Sequence, residues 1–223
     1  MSANCSSLDL QLAVTRRDFG DACAVRAQAY GHHDPAMASR FSALEPLDSA
    51  EGTSVLLCRD RSDGSCVGTA RIQVSGCCPL ALESGMRLPP WLASRRRAQI
   101  SRLAVVQGAT SMVKLMLMKA SYQYCLETQV RWMVIGARSQ ALIRNYRNLG
   151  FRDVFEPGAW IPLASVGGLP HQILAFDVEG AREAWQATRH RLLTFMTEPT
   201  GSDWPPAAAN DGWARSQRMG LIA

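Results

Sequence analysis

Apolar positions along the chain alternate in some stretches and recur every three to four residues in others. Leu8, Leu10, Leu12 and Val14 alternate with polar neighbours, which predicts a half-buried strand over 8–14. Phe19, Ala22, Cys23, Val25, Ala29 and Tyr30 recur at helical spacing, which predicts a helix over about 17–30 ended by Gly31. Residues 36–50 read as a short helix and a loop. Thr53–Arg59 and Cys66–Ser75 read as strands around the turn Ser62-Asp63-Gly64-Ser65. Arg71 lies on a modestly polar face of the second strand and calls for a carboxylate partner. Residues 76–98 then interrupt the strands with the turn Cys77-Cys78-Pro79 and the hydrophobic corner 88–92; long insertions in compact domains are usually lids or binding loops.

The clearest unit follows. Residues 99–106 predict a strand, 107–111 a loop, 112–127 a long apolar helix and 131–136 a second strand; Ser139 caps a further helix that stops at Gly150-Phe151. A strand–helix–strand run of this length implies two parallel strands joined by a right-handed crossover. Short strands over 152–155 and 171–178 flank a Pro/Gly-rich loop over 156–168, and 180–196 predict one amphipathic helix. The elements imply an α/β domain over 8–196 with helices on both faces of its sheet, followed by a loosely ordered tail over 197–223.

Composition changes this picture little. In 223 residues, 47% are apolar and 19% charged, enough for a substantial core. The net charge of +5 favours acidic partners without the density of a nucleic-acid binder. Arg95-Arg96-Arg97 is the one tight basic cluster, either a solvated loop or a docking patch. The seven cysteines form no C-x-x-C pair, which suggests a reducing compartment and no metal. His32-His33 reads as part of a turn rather than a metal site. The N-terminus lacks a signal-peptide layout, and the apolar run Met112–Leu126 is too short to span a membrane and carries Lys114 and Lys119. The expectation is a cytoplasmic protein with no transmembrane segment.

The order of elements resembles the GNAT acyltransferase fold: a mixed, mostly antiparallel sheet with a central splayed parallel strand pair. Leu142-Ile-Arg-Asn-Tyr146-Arg-Asn-Leu-Gly150-Phe151 is similar to that family's fourth-helix ending. The resemblance implies that Tyr146 protonates a departing thiolate; read from the residue alone, it equally suits a core-anchoring tyrosine. The chain departs from the family in its phosphate loop. Val106-Gln107-Gly108-Ala109-Thr110-Ser111-Met112 keeps a single glycine and no preceding arginine, where coenzyme A users present a glycine-rich cradle. An acyl group delivered by acyl carrier protein needs no such cradle.

A narrower likeness runs through Arg26-x-x-x-Tyr30, Glu45-x-x-Asp48, Gly68-x-x-Arg71 and Gln99-x-Ser101-Arg102. These resemble the landmarks of acyl-homoserine-lactone (autoinducer) synthases, without the tryptophan between the first two and with Gln99 in place of a glutamate. Gln99 cannot act as a base. The wording of residues 10–197 is closer to the long-chain N-acyl amino acid synthases, the N-acyltyrosine-synthase type. Ile100-Ser-Arg-Leu-Ala-Val105, Val113-Lys-Leu-Met-Leu-Met-Lys-Ala120 and Pro170-His-x-Ile-Leu174 carry that likeness.

The resemblance implies attack of an amino acid's α-amine on a thioester. The donor is the acyl-phosphopantetheine of acyl carrier protein, or acyl-CoA, and no cofactor is permanently bound. The ammonium must lose a proton, the oxyanion needs donors and the thiolate needs a proton. The expected donors are backbone groups at Leu103, Ala104 and Val105. Glu45 and Asp48 are the candidate bases, with Glu83 behind them. Arg26 and Arg71 either grip the amino acid's carboxylate or pair with Glu45 and Asp48. Tyr30, Gln99 and Ser101 join the substrate-binding set, and the likeness favours Arg102 over Ser101 for the cleft, since neighbouring strand residues face opposite ways unless a bulge intervenes. Met112, Met116 and Trp132 are candidates for an apolar acyl pocket, or plain core. Two alternatives stand: an acetyl-CoA-dependent small-molecule acetyltransferase, and an idle acyl-carrier- or lipid-binding module.

Overall fold

The computed structural model describes residues 7–32, 34–76, 78–199 and 204. The expected tail therefore lies outside the described residues from 200 onward, Trp204 excepted, as do His33 and Cys77. The order is β1 (Leu8–Leu12), α1 (Arg16–Gly31), α2 (Pro35–Phe41), β2 (Thr53–Asp60), β3 (Cys66–Val74), α3 (Pro90–Ala93), β4 (Arg97–Val105), α4 (Ser111–Glu127), β5 (Trp132–Ala137), α5 (Gln140–Leu149), β6 (Arg152–Asp153), β7 (Ile161–Leu163), β8 (Leu169–Asp177), α6 (Ala181–Ala187) and α7 (Leu193–Thr197). The strands make a mixed sheet in the order β1-β2-β3-β4-β5-β8-β6, with β7 paired on β8. The ladders β1–β2, β5–β8, β6–β8 and β7–β8 are antiparallel, and β4–β5 is parallel. Among the described residues no helix is long and apolar enough to cross a membrane.

Local chemistry sets the boundaries. Thr15 caps α1: its hydroxyl accepts the Asp18 amide while the Asp18 carboxylate accepts the Thr15 amide. The Ser139 hydroxyl accepts the Leu142 amide at the start of α5. Gly150, at φ 107°, ends it, with the amides of Gly150 and Phe151 donating to the carbonyls of Arg147 and Tyr146.

The parallel pair separates as expected. Arg97, Ala98, Gln99 and Ile100 pair with Trp132, Met133, Val134 and Ile135, and there the ladder ends. β4 runs on to Val105 and β5 to Ala137. Just past that point Arg102 takes a left-handed backbone, φ 52°, which interrupts the alternation of side chains.

The chain divides into two compact units. One takes the described residues of Met1–Ile72, Arg102–Tyr124 and Pro199–Ala223; the other takes Gln73–Ser101 and Cys125–Glu198. In the first, Ala13, Ala22, Val55 and Leu57 form a core cluster with Phe19 and Cys66 against it. Gly68 lets β3 approach α4 closely: a Cβ there would lie 2.5 Å from a Val113 methyl and 3.1 Å from one of Leu117.

In the second unit, Leu80, Leu82, Leu88 and Leu92 are buried against Trp132, Val134, Val154 and Ile173. The 76–98 segment, expected as a lid or binding loop, is thus anchored by four leucines that complete this unit's core. Two further differences concern the C-terminal third. The helix expected over 180–196 is broken between α6 and α7. Arg189 sits at φ 49°, and the amides of Arg189 and His190 close the helix onto Gln186 and Trp185. The periodicity continues past this stop because Leu192 and Met196 remain in phase, so apolar spacing alone hides it. β7 falls inside the expected 156–168 loop; three residues are too few to show an alternating pattern.

Candidate active site

Five of the residues singled out in the sequence meet in the first unit. α1 carries Arg26, the turn Pro46–Ser49 and its flank carry Asp48 and Glu45, β3 carries Arg71 and β4 carries Arg102. The Arg26 Nη1 donates to Asp48 Oδ2 at 2.7 Å. The Arg71 Nη1 donates to Asp48 Oδ1 at 3.3 Å and to Glu45 Oε2 at 3.1 Å. Arg102 grips Glu45 with two parallel bonds, Nε to Oε2 and Nη2 to Oε1, each 2.6 Å. Arg26 and Arg71 are therefore partners of Asp48 and Glu45, the second of the two arrangements the sequence allowed. Asp48 also accepts the Glu45 amide at 3.1 Å, which ties the two carboxylates' backbones together.

The cluster is buried and unbalanced. Side-chain exposure is 1% for Arg26, 3% for Arg71, 9% for Arg102, 0% for Asp48 and 20% for Glu45. Among the described residues three guanidiniums face two carboxylates here, a surplus of one positive charge. Arg26 Nε and Nη2 are buried with no hydrogen-bond partner among the described residues, an arrangement that costs free energy unless something accepts those protons. Glu45 is the carboxylate that reaches solvent.

These charges tune one another. Burial alone would raise the Glu45 carboxyl, but the Arg102 hydrogen bonds and the charges of Arg102, Arg71 and Arg26 outweigh it and hold it below its ordinary value of 4.5. Burial likewise pulls the Arg71 guanidinium down, with Arg102 and Arg26 adding to the fall against Asp48 and Glu45. The Tyr30 phenol is pushed up by burial, although Arg102, Arg26 and Arg71 all draw it the other way. Cys23, one turn before Arg26, has its thiol raised by burial and is a poor nucleophile.

Phe41, which the sequence reading passed over, is part of this assembly. The Arg102 guanidinium lies 4.7 Å from the Phe41 ring centre, and the Tyr30 ring lies 4.8 Å from it on a 44° tilt. Phe41 is 3% exposed at the end of α2.

Other expected site residues sit elsewhere. Gln99, in the second unit, is buried and accepts the Leu82 amide at 2.9 Å through its side-chain oxygen, anchoring the turn Ala81–Ser84. Glu83 accepts the Leu80 amide and pairs with Arg97 at 2.5 Å. Tyr146 is buried on α5 with its ring 5.4 Å from Phe151. Trp132 packs within the second unit's leucine cluster. In the first unit Met116 and Ala104 are buried, while Leu103, Val105 and Met112 are half-buried. Ser101 is half-buried beside Arg102.

The sequence matches no protein-family model and no curated protein. Solved structures do match, and they show the GNAT fold. One is FeeM, an N-acyl amino acid synthase from uncultured soil microbes, with a TM-score of 0.63 at 16% identity over 84% of this chain and 97% of that one. Another is FdhC, a nucleotide-linked sugar GNAT, with a TM-score of 0.54 at 10% identity over 82% of this chain and 94% of that one. A third is an acyl-CoA N-acyltransferase from Pseudomonas aeruginosa, with a TM-score of 0.52 at 16% identity over 76% of this chain and 99% of that one.

Proposed function

We propose that this protein is an N-acyltransferase that moves a long-chain acyl group from a thioester on acyl carrier protein to the α-amine of an amino acid. The observation that carries the transferase reading is the early end of the β4–β5 ladder at Ile100 and Ile135, while both strands continue. A parallel pair that parts frees backbone N–H groups on β4, and Leu103–Val105 are the groups that would hold the thioester carbonyl and its oxyanion. The amino-acid acceptor is supported by the likeness to FeeM and by the surplus positive charge around Arg26 and Arg102, which suits a substrate carboxylate. The carrier-protein donor is supported by the loop 107–110, where Gly108 is the lone glycine.

In this reaction the amine nitrogen attacks the thioester carbon, the C–N bond forms, the C–S bond breaks and the thiolate leaves with a proton. Tyr146 is the candidate source of that proton, as the family likeness implies. Asp48, fully buried and bonded to two arginines, serves as a strut. Glu45, partly open to solvent but of lowered basicity, suits holding the incoming ammonium, whose proton then passes to water. Arg102 fixes Glu45 for that task. The test is to incubate the purified chain with long-chain acyl carrier protein and mixed amino acids, then look for N-acyl products by mass spectrometry. An N-acyl amino acid is expected. Micromolar coenzyme A binding with turnover of acetyl-CoA would favour the small-molecule acetyltransferase instead, and an untouched thioester would leave only a carrier- or lipid-binding module.

A further inference from the structure

Glu45 owes its orientation to Arg102, and Arg102 is not in a comfortable place. Its backbone is left-handed at φ 52°, a region that non-glycine residues occupy only when their surroundings hold them there. Its side chain is 9% exposed, so water does little to steady the guanidinium. Among the described residues two contacts hold that group: the pair of hydrogen bonds to Glu45 and the face of Phe41 at 4.7 Å. Phe41 is in turn backed by Tyr30 at 4.8 Å, and Arg40 lies 5.5 Å from the same ring centre.

We infer that Phe41 is a positioning residue for the proposed acyl transfer: its ring face fixes the Arg102 guanidinium so that both of its donors meet Glu45. The geometry is what a cation–π contact requires, a guanidinium within about 6 Å of an aromatic centre. Burial strengthens the contact, because water does not compete for the cation. A planar fork must be held in one orientation to give two parallel hydrogen bonds, and an aliphatic side chain supplies bulk without the attraction. The consequence for function rests on the reading given above; the positioning itself does not.

The charged and titratable groups facing Glu45 among the described residues are Arg102 from β4, Arg71 from β3, Arg26, the Cys23 thiol and the Tyr30 phenol from α1, and Asp48 from its own turn. Of these, Arg102 and the Tyr30 ring touch Phe41, and of the two only Arg102 is charged and bonded to Glu45, so draining the ring should reach Glu45 through Arg102. The experiment places 4-fluoro-, 3,5-difluoro- and pentafluorophenylalanine at position 41 of the full chain. This drains the ring's negative face while nearly keeping its shape. The Glu45 carboxyl midpoint is then followed by carbon-detected NMR, with no substrate present. The midpoint should climb with each step of fluorination, by about half a pH unit across the series, roughly threefold in the proton-binding constant. Phe41→Trp should keep the wild-type midpoint and Phe41→Leu should raise it. A midpoint that stays fixed across the fluorinated series overturns the inference, even if Phe41→Leu proves unstable. A positive series in a protein that transfers no acyl group would overturn the proposed function and leave the positioning intact.

Discussion

The first unit holds two clusters of arginine and carboxylate that look alike in composition and differ in their accounts. Around Arg59, one guanidinium meets two carboxylates: Nη2 donates to Asp18 at 3.0 Å and to Asp21 at 2.7 Å, and Nη1 donates to the Gly64 carbonyl at 3.1 Å. Asp18 is further bonded by the amides of Val14 and Thr15 and by the Thr15 hydroxyl. The side chains of Arg59 and Asp21 are 15% and 31% exposed, so water shares the load. Around Glu45 and Asp48 the excess is on the other side, three arginines to two carboxylates, more deeply buried, with two Arg26 nitrogens lacking an acceptor among the described residues. The Arg59 cluster spends its groups on the helix cap and the neighbouring strand and is complete by itself. The Glu45 cluster, among the described residues, is short of one negative charge in a place where that shortage is costly. That difference is the ground for the anionic-acceptor reading proposed above.

The widest separation between the two clusters should come from removing an acid at the centre of each. Asp48→Ala leaves Arg26 and Arg71 buried without their shared partner and should cost about 3–5 kcal/mol in urea unfolding. Asp21→Ala leaves Arg59 with Asp18 and partial solvent, and should cost about 0.5–1 kcal/mol. If the two substitutions cost the same, the Asp48 cluster is not more deeply buried in solution than the Arg59 cluster.

A smaller effect separates the clusters by pH. The folded-state carboxyl of Glu45 lies below its ordinary 4.5, so between those two values the unfolded chain binds more protons than the folded one. Stability from Glu45 is therefore fully present above the ordinary value and is lost as pH falls through the folded one. Glu45→Gln should reduce the acid slope of unfolding free energy by up to about 1.4 kcal/mol per pH unit in that window. Unfolding at neutral pH should be easier by about 1–3 kcal/mol, because three guanidiniums then face Asp48 alone. An unchanged acid slope would mean that Glu45 is not held as an anion by Arg102.

Much of this was legible in the sequence, for physical reasons that also explain what was not. The strand–helix–strand run over 99–136 announced itself because each element is long enough for its period to show and Ser139 and Gly150 mark the next helix's ends. The residues of the charged cluster were legible as types at characteristic spacings: Arg71 on an otherwise modest strand face demanded a partner. Which arginine meets which carboxylate was not legible, since that depends on how α1, β3, β4 and the 46–49 turn converge. Arg102 illustrates the limit. The alternation of β4 says that Ser101 and Arg102 point apart, and only a left-handed residue, held by tertiary contacts that no local pattern encodes, changes how the strand presents them. Phe41 escaped notice because a single phenylalanine ending a seven-residue helix reads as core. Gln99 was noticed for its place in a motif, yet its carbonyl is bonded to the Leu82 amide of a segment whose path the sequence did not reveal.

The smallest effect sharpens the comparison from the other side. Thr15 serves the Arg59 cluster twice, capping α1 through its hydroxyl and giving a hydrogen bond to Asp18. Burial works to raise the Asp18 carboxyl, and the amides of Thr15 and Val14, then the Thr15 hydroxyl and Arg59, more than offset it, so the group lies below its ordinary 3.8. Thr15→Val deletes the hydroxyl and keeps the shape and both amides. It should cost about 1 kcal/mol at neutral pH, the usual worth of a helix N-cap. It should also move the Asp18 midpoint upward, since one hydrogen bond to the charged form is gone. Because the Arg59 cluster is complete in itself, the Glu45 midpoint should not move in the same spectra. A shift at Glu45 as large as that at Asp18 would mean that α1 couples the two clusters, and that the surplus charge around Arg26 is set in part by the cap eleven residues upstream of it.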